Sequence, residues 1–291
     1  MILASLEQSL MLYPLVLGVC LSYQILKTTD LTAEGSFVLG AALYARLLTA
    51  YNNQNLAIIS ALLGGALCGF FVYILQRKGQ MNALISSIIM LFMLYSVNLQ
   101  IMGKPNISLL SYDVFESTSV HSVHNVPLKI IFLGLLGLVL TFVLGLFLKT
   151  RLGLTLRALG HNPHVLKKYG RNPEAYRLTG LIISNTLSAG CGALMAQFSG
   201  YADIHMGFGM ALVGISAVAI GQHVLSSLKK TIHFSSFLEI IACFGGIYMY
   251  FLISHFLLKL DIDPINLRLC LGLILILCLR SHHLIKGTKN A

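Results

Sequence analysis

Long apolar segments, each close to the length needed to cross a lipid bilayer, follow one another through most of this 291-residue chain. A spanning helix needs about 20 mostly apolar residues, because the hydrocarbon core of a bilayer is about 30 Å thick. Charged residues make up only 10% of the chain, whereas a typical soluble domain carries about 25%. The sequence therefore predicts an all-α, polytopic membrane protein.

The apolar segments predict a bundle of about nine transmembrane helices, with eight to ten compatible with the pattern. The first segment has no convincing signal-peptide cleavage site, so we interpret it as a helix. Residues 1–291 are expected to form one transmembrane domain. The predicted spans are residues 8–26, 31–49, 56–76, 81–102, 128–148, 174–199, 207–228, 236–258 and 264–280.

Lysine and arginine are distributed unevenly between the two sides of this predicted bundle. With the N-terminus outside, 15 of the 20 Lys and Arg residues fall on the inner side and 5 on the outer side. Cytoplasmic loops carry an excess of Lys and Arg, so this arrangement predicts a cytoplasmic C-terminus. The net charge of +10 then reflects membrane topology, and no nucleic-acid partner is expected.

The longest polar interruption of the apolar pattern runs from Lys149 to Arg177 and contains a repeated motif, Gly160-His-Asn-Pro163 and Gly170-Arg-Asn-Pro173. Asn caps a helix N-terminus, Pro suits the first helical position, and Gly suits the left-handed residue after a helix end. The pattern predicts a short helix from Pro163 to Tyr169, capped by Asn162 and ended by Gly170. This helix is too short to span a bilayer, so we expect it to lie on the membrane surface and be held by another protein.

Two predicted spans begin with an acidic residue followed by a glycine-interrupted apolar run. Asp30 and Glu34 open the second span, and Asp203 precedes Gly207 and Gly209 at the start of the seventh. Polar and glycine-rich residues entering a membrane helix suit a broken helix that lines a cavity. Ordinary helix capping and tight helix packing explain the same residues, and the sequence leaves both interpretations open.

The chain lacks the motifs of the common catalytic and metal sites. It contains no Gly-x-x-x-x-Gly-Lys-Ser/Thr phosphate-binding loop, so we expect any ATP hydrolysis to occur on another chain. His121-x-x-His124 and His282-His283 have no nearby third ligand and are interpreted as solvated. All six cysteines lie in apolar runs and suit buried free thiols. We therefore expect no catalytic residue, no metal and no bound cofactor in this chain.

Four motifs, in order along the chain, resemble the ABC importer permeases of the ribose and branched-chain amino acid type. The second-helix motif, in the form Asp-Leu-Thr-x-Glu-Gly-Ser, is nearest to a subgroup of aromatic amino acid permeases, with tryptophan and tyrosine among the suggested substrates. The motifs are Asp30-Leu-Thr-x-Glu-Gly-Ser-Phe-x-Leu-Gly40, Gly153-x-x-x-Arg-Ala-x-Gly-x-Asn-Pro163 with Tyr169-Gly170, Ser188-Ala-Gly-x-Gly-Ala-Leu194, and Gly207-Phe-Gly209 with Gly214 and Gly221.

The resemblance implies a division of labour between several chains. Two permease chains form the pathway, and two cytoplasmic ATP-binding subunits hold ATP and Mg beneath them. An extracytoplasmic substrate-binding protein delivers a small polar solute, such as an aromatic or branched-chain amino acid, for import. The resemblance places the chain among the lipids of a bacterial inner membrane, as a multi-pass protein.

The resemblance also assigns roles to particular residues. Contact with the ATP-binding subunit is expected from residues 149–173, as a coupling segment, through Arg157, Gly160, Asn162, Pro163, His164, Lys167, Lys168, Tyr169 and Gly170. The pathway or an inner gate is expected to involve Glu34, Gly35, Ser36, Phe37, Gly207, Phe208 and Gly209.

Other interpretations of these residues remain open at this point. Retention of basic residues on the inner side would explain the charge of the coupling segment without any partner. Phe37 and Phe208 equally suit packing. An ion-coupled secondary transporter is the alternative function, and it would need ionisable residues at mid-membrane. The acids within the predicted spans lie near helix ends, which weighs against it.

Overall fold

A computed structural model describes residues 2–77, 81–112, 126–228, 236–260, 266–267 and 269–273. The described chain is almost entirely helical, with one two-stranded ribbon. The elements are α1 (Ile2–Val19) continued by a π-helical turn (Cys20–Ile25), α2 (Thr32–Tyr51), α3 (Gln54–Gln76), α4 (Ala83–Met102), β1 (Asn106–Ser108), α5 (Val126–Lys149), α6 (Arg151–His161), α7 (Pro163–Lys168), α8 (Pro173–Ser199), β2 (Tyr201–Asp203), α9 (Met210–Leu228) and α10 (Ser236–Lys259).

Six of the described helices are long and apolar enough to cross a membrane, namely α1 with its π-helical turn, α3, α4, α5, α8 and α10. The prediction of an all-α, multi-pass membrane protein is therefore confirmed. The apolar part of α9 is shorter, at Met210–Leu225, and α2 carries Glu34 and Arg46. Most of the predicted span 264–280 lies outside the described residues, so the predicted count of nine spans is not confirmed.

Helix α8 lies at the centre of the bundle, packed against α1, α2 and α3. Small residues make this packing possible. A Cβ atom at Gly192 would overlap the carbonyl oxygen of Phe37, and one at Gly40 would overlap the carbonyl oxygen of Ala189. The backbones of α2 and α8 thus touch directly, which the small residues at 188–194 allow.

The short helix predicted from Pro163 to Tyr169 is present as α7, which ends at Lys168. The side-chain oxygen of Asn162 accepts a hydrogen bond of 3.0 Å from the backbone N–H of His164. Gly170 adopts a left-handed backbone with φ of 68°. The side chain of Asn172 then accepts from the N–H of Glu174 at 3.1 Å, which begins α8. Both Asn-Pro pairs therefore start helices.

The opposite end of the bundle carries the antiparallel ribbon, in which Ile107 pairs with Ala202. This ribbon joins the segment after α4 to the segment after α8. We call this the ribbon end, and the end that carries α6 and α7 the α7 end.

Candidate functional site

The N-terminus of α2 lies inside the bundle and not at its α7 end. The hydroxyl of Ser36 is 3.1 Å from Cys68 Sγ in α3 and 2.5 Å from Asn185 Oδ1 in α8. From the helix bounds and a rise of 1.5 Å per residue, Cys68 lies about 12 Å and Asn185 about 18 Å from the α7-end termini of their helices. Glu34 and Ser36 are therefore deeper than the predicted topology put them.

A closed hydrogen-bond network holds this buried helix start. Asp30 is 4% exposed, and its Oδ1 accepts from the backbone N–H of Thr32 at 3.0 Å and from the Thr32 hydroxyl. Its Oδ2 accepts from Asn185 Nδ2 at 3.1 Å. Asp30 thus caps α2 and fastens it to α8. The capping interpretation of the second span fits these hydrogen bonds, and the helix that Asp30 holds begins inside the bundle.

A second helix, α9, also begins inside the bundle, and its N-terminus lies against α2. After β2 the chain turns through residues 204–209 without regular structure, and α9 begins at Met210. Glu34 Oε1 accepts from the backbone N–H of Ala211 at 3.3 Å, so a residue of α2 caps α9. A negative carboxylate at a helix N-terminus is electrostatically favourable. A Cβ at Gly207 would lie 2.6 Å from the Glu34 carbonyl oxygen, so only glycine permits this approach.

These elements enclose a cleft, which we call the α2–α4 cleft. Its free volume is about 130 Å³, whereas ligand pockets commonly measure about 300–1,000 Å³. The cleft in one chain is therefore smaller than a typical ligand pocket. The lining residues are Glu34, Gly35, Val38, Leu91, Tyr95, Asn98, Ile204, His205, Gly207 and Phe208.

The structure brings together some of the predicted pathway residues and separates others. Glu34, Gly35, Gly207 and Phe208 line the cleft. Gly209, with φ of 84°, sits at the start of α9 beside it. Ser36 instead belongs to the network around Asp30. Phe37 is fully buried in the apolar core, which matches the packing interpretation that the sequence left open for it.

Three polar or aromatic residues of the cleft were missed at the sequence level. Tyr95 and Asn98 lie on α4, and the rings of Tyr95 and His205 have centroids 6.3 Å apart. The signal available was an asparagine within a strongly apolar span, since polar side chains in membrane helices commonly face the bundle interior. His205 carried no signal, because its place depends on the irregular segment before α9.

The open side of the cleft presents polar atoms at the level of the α2 N-terminus. Glu34 is half-buried, and Tyr95 and His205 are exposed in the single chain. Lipid tails cannot hydrogen-bond with such groups, so polar surface at this depth is tolerated only against protein or a water-filled cavity. This side of the chain is consequently suited to a pathway or to a second protein chain.

The α7 end presents a different surface. His164, Lys167 and Lys168 are exposed, as are Asn162, Pro163 and Gly170. The side chain of Tyr169 is 79% exposed, although it is a large aromatic residue. Leu166 is buried in the main apolar core and anchors α7 to the bundle. Helix α7 is thus anchored to the bundle through Leu166, while its polar face remains accessible.

Two residues predicted to contact a partner also join parts of this chain. Arg157 forms an ion pair of 2.6 Å with Glu239 of α10. A Cβ at Gly160 would overlap the carbonyl oxygen of Ile25, so α6 packs directly on the π-helical turn. Lys27 and His161 meet beside this contact, 3.2 Å apart. The segment that carries α7 is therefore connected to α1 and to α10.

A comparison with protein families decides which family has this arrangement. The family described as the permease component of branched-chain amino acid transport systems matches residues 1–279. The chain belongs to this permease family. The resemblance found in the motifs is confirmed, and the permease is a translocation subunit and not an enzyme. As an ABC transporter permease it implies an ATPase partner, and this replaces the ion-coupled alternative.

Relatives of this permease cover nearly its whole length. An uncharacterized protein, RP368, of Rickettsia prowazekii (strain Madrid E) is 45% identical over 280 residues, which is 96% of this chain and 97% of that protein. The tyrosine transport system permease protein of Clostridioides difficile (strain R20291) is 35% identical over 287 residues, or 97% and 92% of the two chains. A nucleoside ABC transporter permease protein, NupC, of Lactococcus lactis is 28% identical over 188 residues, or 64% of this chain and 52% of that protein. No solved structure matches the chain.

Proposed function

We propose that this permease imports an amino acid, an aromatic one being best supported, as one of two identical subunits of an ABC importer in a bacterial inner membrane. The observation that carries the proposal is the exposed helix α7, whose segment is connected to α1 and to α10. A relative named as a tyrosine transport system permease, 35% identical over nearly the whole chain, supports the substrate class.

Helix α7 has the shape of a docking element for an ATP-binding subunit. Its exposed face carries Lys167 and Lys168, with Tyr169 directly after them. A force applied there passes through the contact of Gly160 with Ile25 and through the Arg157–Glu239 ion pair. Two cytoplasmic ATP-binding subunits, which bind ATP and Mg, would thereby move α1 and α10. The C-terminus lies on the cytoplasmic side in this proposal.

The open side of the α2–α4 cleft supports a second copy of this chain in the importer. Polar groups at membrane depth need protein or water beside them, and a twofold pair is the commonest oligomer. Two copies that face each other across their α2–α4 clefts would enclose a larger, partly polar volume. The pathway of the importer would then lie between the copies.

The ribbon end is suited to docking of the protein that delivers the substrate. Tyr51, Leu110 and Tyr201 are exposed there, with Leu110 78% exposed, and this end lies opposite α7. An extracytoplasmic substrate-binding protein would dock on that surface and release substrate toward the cleft. Membrane lipid surrounds the remaining helix faces.

The proposal is tested by reconstitution with the ATP-binding subunit and the binding protein of the same system. We expect ATP-dependent uptake of labelled L-tyrosine into proteoliposomes. Tyr169→Ala should leave stability unchanged and lower uptake at least tenfold, because the exposed ring has no structural role within the chain. Phe71→Ala, which removes an exposed aromatic ring from α3, outside residues 149–173, is the matched control. Normal coupling in Tyr169→Ala would contradict the role of α7, and uptake without any ATP-binding subunit would contradict the importer.

A further inference from the structure

The wall of the α2–α4 cleft contains a buried acceptor that the chain does not use. Asn98 is 1% exposed, and its Nδ2 donates to the carbonyl oxygen of Gly35 at 3.2 Å. Its Oδ1 has no hydrogen-bond partner in the described part of the chain, although buried polar atoms are nearly always paired. Such an atom in the wall of a cleft suits a donor from a ligand.

A second acceptor lies in the same cleft. One oxygen of Glu34 caps α9 through the N–H of Ala211. The backbone N–H of Gly209 also donates to this carboxylate. A carboxylate offers about four acceptor positions over its two oxygens, so these two contacts leave acceptor capacity on a residue that lines the cleft. Glu34 is half-buried, and the cap fixes the position of its carboxylate.

The chemistry of the lining favours a cationic donor. The described lining contains no lysine or arginine, and Glu34 would repel a free carboxylate. Tyr95 and Phe208 are 46% and 71% exposed at the open side. Aromatic faces attract cations and also stack on other rings. An ammonium group carries three donors and no acceptor, which complements the oxygens of Glu34 and Asn98.

We propose that the α2–α4 cleft is an ammonium-binding subsite, in which Glu34 and Asn98 receive the amino group of the transported amino acid. Tyr95 and Phe208 contact the side chain of that amino acid. This inference rests on the proposed import of amino acids and adds the residues that recognise the substrate. A primary amine with an aromatic side chain is bound, and the corresponding acid without the amine is not.

The test uses the purified full chain in lipid nanodiscs, without the binding protein. Its thermal midpoint is measured with L-phenylalanine, 2-phenylethylamine or 3-phenylpropionate at the same millimolar concentration. Ligands that bind only the folded state raise the midpoint, by about 2 °C when the concentration is well above Kd. We expect this rise with the two amines and none with 3-phenylpropionate. An equal rise with all three, or with none, would overturn the subsite.

Variants assign the effect to the two acceptors. Glu34→Gln removes the charge but keeps an oxygen able to cap α9, and Asn98→Leu removes the unpaired acceptor at similar volume. Both should abolish the rise. Glu7→Gln is the matched control, because it removes one carboxylate that pairs with Lys129 outside the cleft. A variant that fails to fold does not affect the ligand comparison on the unaltered chain.

The outcomes also separate this inference from the proposed function. ATP-driven tyrosine uptake without an amine-dependent rise would leave the importer intact and remove the subsite. An amine-dependent rise that Glu34→Gln abolishes, in a chain that shows no ATP-driven uptake, would keep the subsite and remove the importer.

Discussion

Where α7 and α8 begin, an asparagine caps each helix from two residues away, whereas α9 is capped by Glu34, which lies 177 residues before its partner in the chain. The first pair of caps is exposed, and water can replace a lost hydrogen bond there. The buried starts of α2 and α9 use carboxylates and close contacts, because no water satisfies the backbone at that depth. Exposed caps therefore set local shape, and buried caps hold distant parts of the bundle together.

The largest effect is expected where the buried network is broken. Asp30→Leu removes the cap of α2 and leaves the Asn185 amide without one acceptor, so we expect the free energy of unfolding to fall by about 3 kcal/mol. SDS-induced unfolding in mixed micelles measures this. Asp30→Asn, which keeps one acceptor oxygen, should fall between the parent and Asp30→Leu. If the Asp30→Leu chain is as stable as the unaltered chain, the buried cap of α2 contributes no more to stability than the exposed caps of α7 and α8.

A smaller loss of unfolding free energy is expected where the segment before α9 touches α2. Gly207→Val brings side-chain atoms against the carbonyl oxygen of Glu34 and the side chain of Val38, and overpacking of this kind costs about 2 kcal/mol. The same unfolding measurement is compared with Gly245→Ala, because a Cβ at Gly245 meets no atom within 4 Å. Equal effects in the two variants would show that the approach of residue 207 to α2 is not tight.

The smallest effect is expected at an exposed cap. Asn162→Ala removes the acceptor for the His164 N–H, and loss of such a cap costs about 1 kcal/mol. Because water can hydrate the freed N–H, the loss should stay well below that of Asp30→Leu. Asn162→Asp restores an acceptor and should recover most of the stability. A loss at Asn162 as large as that at Asp30 would mean that α7 helps to hold the bundle together.

The same contrast explains what the sequence could predict. Asn162, Gly170 and Asn172 act on backbone groups only a few residues away, so their motif predicted α7 and the start of α8. The small residues at 188–194 permit close packing, because that property depends on side-chain size alone. These features are local, and local sequence contains them.

The remaining features depend on partners far away in the chain. The depth of α2 is visible only through the contacts of Ser36 with Cys68 and Asn185. The pairing of Arg157 with Glu239, 82 residues later, was not predicted, since Arg157 was assigned only a contact with another protein. A single sequence does not contain these distances. The part of the cleft contributed by α4 was missed for the same reason.

The cap of α9 by Glu34 has a consequence for the order in which the membrane inserts this chain. Glu34 leaves the ribosome long before Ala211, and Asp30 long before Asn185. Helix α2 is not among the six helices apolar enough to cross the membrane on composition alone. During synthesis its acidic start is thus exposed until α8 and α9 arrive. We therefore expect α2 to reach its final depth late in biogenesis, after the helices that follow it have entered the bilayer.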